Sequence, residues 1–412
     1  MSLVDEVSEL RRAPVLRDAE EARRTARQLA SGFAAGAASR DRDRRLPHAE
    51  ISELAASGLL GITVPAQHGG PELPPSVAAD VFRVLGAADA NIAQIPHSHF
   101  VYANLLRVAG SSAQRESIYS AMLGGRLLAN AQSERGGRDI TDIATRLAVD
   151  ERGALVIEGT KYYCTGTLFA DIIPVLTRLE DPRGASGLDD GDYVVFLPAL
   201  VDGISISDDW DAVGQRTTAS GTVHLDNVRV SPSWVVPRRT AFDQPNGYGA
   251  FAQLLHAAID TGIARGAFDA ASEFVRNRSR PWFEADVDNA ADDPLTVQRV
   301  GELSVEVTKA EAVLELAARS VDRVFASPTR PNAVRASLDV AAAKVVAEQS
   351  SLAVSSGLFE VSGTRSADAH SRLDHFWRNA RTHTLHDPAR WKFQHLGRYA
   401  LRDEDPPSHG TI

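Results

Sequence analysis

Along this chain the hydrophobic pattern changes period twice, and that order restricts the fold more than any single motif does. From about residue 17 to 126 apolar residues recur at helical spacing. Asp18 to Ala38 is alanine-rich and charged, and His48 to Leu60 places Ile51, Leu54, Ala55 and Leu59 close to one helical face. Gly58 and the pair Gly69-Gly70, with Pro65 and Pro71 beside them, interrupt these helices. From about 140 to 232 the runs ALVIEGTKYYC, DIIPVLTRL, DYVVFLPAL and SGTVHLDNVRV are β-branched and aromatic, separated by Gly, Asp and Pro clusters, and predict strands. From about 246 onward the period is helical again. Thr296 to Phe325 aligns Val300, Leu303, Val307, Leu314, Ala317, Val321 and Val324, and Ser337 to Phe359 predicts a second long apolar helix. Helices, then strands, then long helices form an α+β order, not the alternation of a doubly wound sheet.

At 412 residues the chain exceeds one ordinary core, so two or three packed parts are expected. Hydrophobic residues make up 43% and charged residues 24%, the balance of a soluble globular protein. A formal charge of −10 argues against a nucleic-acid binder, which needs a basic footprint. No polybasic patch draws the chain to anionic lipid, and no apolar run approaches the roughly 18–20 residues of a membrane span. MSLVDEVSELRRAP has no apolar signal-peptide region, so a cytoplasmic location is expected. The single cysteine, Cys164, excludes an internal disulfide and a cysteine-cluster metal site.

The densest chemistry lies at 377–388, WRNARTHTLHDP, where two arginines, two histidines and an aspartate share one short segment. Such groups are rarely buried without partners, so the segment is either a solvated helix end or part of a site for an anionic cofactor. His383 and His386 stand three apart and would share one side of a helix that Asp387-Pro388 ends.

Five landmarks in order resemble the acyl-CoA dehydrogenase superfamily over nearly the whole chain. ITVPAQHGGPEL at 62–73 looks like its Gly-Gly turn, and LANAQSERGGRDI at 128–140 stands where those proteins meet the flavin. GTKYYCTG at 159–166 matches their Gly-x-Lys-aromatic strand beside the flavin ring. GQRTTASGTVHLDNVRVSPSWVV at 214–236 resembles their closing β segment, and AAIDTGIARGAFDAASEFVRNRSRPW at 257–282 the first long helix of their bundle. The resemblance implies an N-terminal helical domain over 1–127, a central β-barrel or sandwich over 128–238 and a C-terminal four-helix bundle over 239–412. Gly136-Gly137 lacks the strand-GxGxxG-helix context of a dinucleotide fingerprint, so a flavin would lie in a cleft between layers.

DDWDAVGQRTTASGT at 208–222 and WRNARTHTLHDP are similar to the signatures of one branch, the flavin-dependent monooxygenases of sulfur metabolism, which includes dibenzothiophene monooxygenase and the Sfn type. That branch implies reduced FMN from a separate NAD(P)H:flavin reductase, O2, a flavin C4a-(hydro)peroxide and a small organosulfur substrate used in sulfur acquisition. It also implies a homo-oligomer, dimer or homotetramer. The alternative is an FAD-dependent acyl-CoA dehydrogenase, which needs a carboxylate base at the alpha carbon. Ala252 stands at one base position and cannot serve; Asp387 stands at the other, one methylene shorter than glutamate and followed by Pro388. Asp387 could instead cap a turn or fix a histidine tautomer.

A monooxygenase needs a hydrogen-bond donor near the activated oxygen and a dry pocket. An imidazole suits that role, and the resemblance points to His386, with His383 behind it against the cofactor and His99 facing the substrate. His97 is read as structural or surface-exposed. Thr165 would sit beside flavin N5, and Asn130 and Ser133 along its pyrimidine edge and ribityl chain. Trp210 would wall the ring, and Arg278 and Arg365 would hold phosphate or a neighbouring subunit. Arg280 replaces a glutamine that faces the adenine half of FAD in the superfamily, which fits FMN. No metal is expected, because two histidines without fixed carboxylates are a poor ligand set.

Overall fold

A computed structural model describes residues 13–410; the reading of the extreme N-terminus as free of a signal sequence falls largely on residues 1–12, outside the described ones. The N-terminal part is α1 (Ala19–Asp43), α2 (His48–Ala56), α3 (Pro75–Ala88), α4 (Ala90–Gln94), α5 (His97–Ala109) and α6 (Ser112–Leu123). Asp18 starts α1 by accepting the Glu21 N–H at 2.9 Å. Asp89 starts the short α4 by accepting the Asn91 N–H at 2.9 Å, while its other oxygen lies 2.8 Å from the buried Arg40 guanidinium. That pairing fixes α4, which carries Gln94 of the site.

Seven strands follow: β1 (Arg146–Val149), β2 (Leu155–Lys161), β3 (Ile172–Glu180), β4 (Asp192–Pro198), β5 (Ile204–Ser207), β6 (Thr222–Val230) and β7 (Val235–Pro237). They form one hydrogen-bonded series, β5-β6-β2-β1-β3-β4-β7, in which the β1–β3 pair is parallel and the rest antiparallel. The expected central β domain is built from this one continuous sheet. Its four long strands are the four apolar runs; β1, β5 and β7 span four residues or fewer, too short for a pattern to register. An apolar core shared with α5 and α6 attaches the sheet to the N-terminal helices.

The C-terminal part is α7 (Thr240–Asp243), α8 (Tyr248–Asn277), α9 (Pro294–Ala326), α10 (Arg330–Ser362), α11 (Asp374–His383) and α12 (Ala389–Arg402). Helices α8, α9 and α10 pack together, and the short pair α11–α12 lies against α10 as the fourth element of the bundle. Both long predicted helices are present; α10 begins at Arg330, before the expected Ser337, because its largely polar first turns left no apolar pattern to register. The first half of α8 is buried nearly all round, between α3 and α10. A Cβ on Gly262 would stand 2.5 Å from the Arg83 carbonyl, so glycine lets α8 and α3 approach closely. Among the described residues no helix is long and apolar enough to cross a membrane.

Candidate active site

Four histidines from three separate parts of the chain meet where α4, α5, α8 and α11 converge. His256 of α8 is buried, with His97 of α5 stacked on it at 3.8 Å and the His386 ring tilted against it at 4.1 Å. His256 Nδ1 lies 3.1 Å from His383 Nε2, and His383 Nδ1 lies 2.6 Å from Asp260 Oδ1. Gln94 Oε1 of α4 also lies 3.1 Å from His383 Nε2. His97 Nε2–H donates to the Ala252 carbonyl at 3.0 Å. Burial depresses the His97 pKa to about 3 and that of His256 well below its ordinary value, so both rings are neutral near pH 7.

His386 differs from the others: its side chain is 47% exposed. Helix α11 ends at His383, so the two histidines do not share a helix; a turn closed by His386 N–H to the His383 carbonyl at 3.1 Å keeps them adjacent. His386 Nδ1 donates to Asp387 Oδ2 at 3.0 Å, and that oxygen also accepts the Gln253 amide at 3.0 Å. Burial opposes ionisation of Asp387, but His386 and Lys392 beside it hold the carboxyl below the usual range. A carboxylate so paired is a weak base. It orients His386, the second of the two roles expected for it.

A second half of the site lies in the loops after β2 and before β6. Thr165 Oγ lies 2.8 Å from Ser220 Oγ, which lies 2.7 Å from Thr218 Oγ; Thr218 donates to the Gln215 carbonyl at 2.9 Å. The same carbonyl accepts Trp210 Nε1–H at 2.7 Å. Gln215 N–H donates to Asn379 Oδ1 at 2.7 Å, one turn before His383 on α11. The two halves are therefore one hydrogen-bonded assembly. Tyr163, Gln215 and Ala219 all hold positive φ, at 59°, 52° and 50°, a concentration of backbone strain at one place. Lys161, fully buried, reaches Glu134 at 2.6 Å and the Gln132 carbonyl at 3.2 Å, and so pins the loop carrying Asn130 and Ser133.

Of the predicted residues, His383, His386, Thr165 and Trp210 fall in this assembly, and Asn130 joins it through its N–H bond to the Thr165 carbonyl at 3.3 Å. Ser133 is exposed on the adjoining loop. His99 is corrected: its Nε2–H donates to the Leu60 carbonyl at 2.8 Å and its Nδ1 accepts the Leu128 N–H at 3.2 Å. With both nitrogens consumed by backbone and the ring fully buried, His99 faces no substrate. His97, read as structural or surface-exposed, is the α5 histidine in the cluster. Arg278 and Arg365 lie together, Arg365 donating to the Arg278 carbonyl at 2.8 Å, and both are exposed. From His256 to Arg278 is 22 residues of α8, about 33 Å at 1.5 Å per residue, so neither arginine reaches the histidines of its own chain.

Sequence reasoning missed His256, Asp260, Gln94, Asn379 and Tyr163. The signal for the first two was His256 and Asp260 four apart inside QLLHAAID, an otherwise apolar helix, where a buried ionisable pair demands a reason. Ligand atoms of His256, His386 and Asp387 come within 4.8 Å of one another. That is looser than the about 4.2 Å spanned by two ligands across a cation at about 2.1 Å, so the trio is not preorganised for a metal.

Models of the acyl-CoA dehydrogenase family match the chain as its N-terminal domain at 17–126, its middle domain at 130–228 and its C-terminal domain at 254–391. The chain is 32% identical to dibenzothiophene monooxygenase of Rhodococcus erythropolis over 92% of its own length and 93% of that protein. It is 30% identical to the probable FMNH2-dependent monooxygenase SfnC of Pseudomonas putida over 96% and 98% of the two chains. The crystal structure of FMN-bound TdsC from Paenibacillus sp. A11-2 superposes with a TM-score of 0.89 at 29% identity, covering 95% of this chain and 100% of that one. The chain belongs to the acyl-CoA dehydrogenase family, in its flavin-dependent monooxygenase branch.

Proposed function

We propose that this protein is a two-component monooxygenase that uses reduced FMN and O2 to oxygenate a small organosulfur compound in sulfur acquisition. The observation that supports it is the hydrogen-bonded run from Thr165 to Asn379, which ties the hydroxyls of the loops between the strands to α11, the helix that carries His383. The residues fit a flavin. Among the described residues, Gln215 Oε1 and Thr217 Oγ on the same loop are buried with no hydrogen-bond partner, polar atoms that a ring edge of N–H and C=O groups would satisfy. Thr165 and Asn130 supply hydroxyl and amide groups for that edge, Ser133 reaches the ribityl chain, and Trp210 with Tyr163 walls the ring.

FMN, when bound and reduced, supplies the electrons that activate O2. His386, half-exposed and oriented by Asp387, would hold or donate a proton for the oxygen being transferred, with His383 behind it, and Thr165 would meet the edge of the flavin ring. The buried rings of His97 and His256 keep water from that face. Arg278 and Arg365 meet the phosphate from a second copy of the chain, which calls for a homo-oligomer, a tetramer or dimer. Exposed Leu295, Val305 and Leu316 along α9 supply apolar surface for such an assembly. The three domains divide near 127 and 238, and the cytoplasm, with its NAD(P)H and flavin reductases, is the compartment this reading requires.

Turnover of dibenzothiophene and of small aliphatic sulfones or sulfinates, with FMN, NADH and a purified flavin reductase, tests the proposal. Product should form with the reductase and not without it. Turnover with oxidised FAD and no reductase would refute it.

A further inference from the structure

The proton positions of the buried imidazoles follow from one fixed point. Asp260 is fully buried; its Oδ2 lies 2.8 Å from Lys344 Nζ, which lies 2.7 Å from Glu348 Oε1. Burial opposes charge on both members, yet His383 and Lys344 hold Asp260 below the usual carboxylate range, and Asp260 and Glu348 hold Lys344 above the usual ammonium range. An ionised carboxylate only accepts, so His383 Nδ1, at 2.6 Å, carries a hydrogen. Burial lowers the His383 pKa against the pull of Asp260, leaving the ring neutral near pH 7 with a lone pair on Nε2. His256 Nδ1, 3.1 Å from that lone pair, must then be a donor. Gln94 Oε1 lies 3.1 Å from the same Nε2; an oxygen cannot donate to a lone pair, so with Nε2 bare the Gln94 amide is turned to present its –NH2, amide O and N being alike in shape and placed by their network. What remains is His256 Nε2, without a hydrogen.

We propose that Lys344, Asp260 and His383 form a buried positioning chain that fixes His256 as its Nδ1–H tautomer and presents Nε2 as a proton acceptor beside His386. The groups facing His256 are Gln94 of α4, His97 of α5, Asp260 of its own helix, Lys344 of α10, His383 of α11, and His386 with Asp387 in the turn beyond. His256 packs between His97 and His386, at 3.8 Å and 4.1 Å, which restrains its ring from turning to offer the other nitrogen. Taking up a proton forms one N–H bond at Nε2, while the donor keeps its bonding electron pair. The imidazolium is then stabilised through His383 by Asp260, as the aspartate of a serine-protease triad stabilises its histidine. Its use in catalysis rests on the monooxygenase reading: His256 accepts a proton released in turnover, and His386 exchanges protons with solvent.

Long-range 15N–1H correlation NMR of 15N-histidine-labelled, FMN-free protein at pH 7.5 tests the chain, with His256 assigned by the loss of its signals in His256→Phe. The expected pattern is protonated Nδ1 and bare Nε2 at His256. A protonated Nε2, or a charged ring, overturns the proposal. Asp260→Asn should disturb this tautomer, lower kcat about 10²–10⁴-fold and shift the pH profile, with FMN affinity unchanged. A folded Asp260→Asn with wild-type tautomer, kcat and pH profile also overturns it; if that variant does not fold, the wild-type spectrum decides. The spectrum needs neither FMN nor turnover, so a wild-type protein that shows the tautomer but no oxygenation refutes the monooxygenase reading and leaves the positioning chain standing.

Discussion

The backbone N–H of Gln215 donates to the side-chain carbonyl of Asn379 at 2.7 Å, joining segments 164 positions apart. A Cβ on the neighbouring Gly214 would stand 1.9 Å from the Arg378 carbonyl, so the β-domain loop and α11 touch backbone to backbone there. The two segments that resemble the monooxygenase branch most closely are one physical unit. Trp210 and Thr218 both hang from the Gln215 carbonyl, and His383 follows Asn379 by one turn.

Asn379→Ala removes the acceptor of a buried N–H, which should cost about 1–3 kcal/mol in unfolding. Because Trp210 and Thr218 are anchored to Gln215, FMN affinity should fall as well. Denaturant titration beside quenching of flavin fluorescence measures both. Wild-type values of each would show that this bond does not hold the loop.

In His386→Ala the flavin contacts assigned to Thr165, Asn130 and Trp210 remain, so FMN affinity should change little. Removing a positioned donor typically costs about 10²–10³ in rate. Oxygen should still be consumed, with more of it released as hydrogen peroxide and less found in product. A wild-type ratio of product to peroxide would remove His386 from the donor role.

His99→Ala should behave in the opposite way. It leaves the Leu60 carbonyl and the Leu128 N–H unpaired in the core, at about 1–3 kcal/mol each, so the unfolding midpoint drops. The protein that stays folded should couple oxygen to product as the wild type does. A stable but uncoupled variant would return His99 to the active site.

Lys392 gives a pH dependence whose sign is fixed. Burial lowers its pKa from 10.5 to about 8, partly offset by Asp387. Between these values the unfolded chain holds a proton that the folded chain has released, so stability rises with pH over that window. Relative to Lys392→Met, the wild type should gain stability from pH 8 to 10. Parallel urea midpoints over this range would contradict the depressed pKa.

The period changes made the α+β order legible, because long helices and strands bury one face and repeat accordingly. Motif order pointed to Thr165, Trp210, His383 and His386, which the fold brings into one assembly. His99 and His97 could not be told apart in QIPHSHF: two residues apart on a helix they point in different directions, and the packing of α5 against α8 selects His97 for the cluster. Lys344 stayed hidden because it gains its meaning from a contact with Asp260, 84 positions away.

The claim that this chain oxygenates its substrate is tested most directly with 18O2. Purified protein, FMN, NADH and a separate reductase should convert an organosulfur substrate to a product carrying one 18O atom per oxygenation, whichever member of the substrate panel is accepted. Product free of 18O, together with bleaching of bound flavin by an acyl-CoA thioester under anaerobic conditions, would instead make the chain a dehydrogenase.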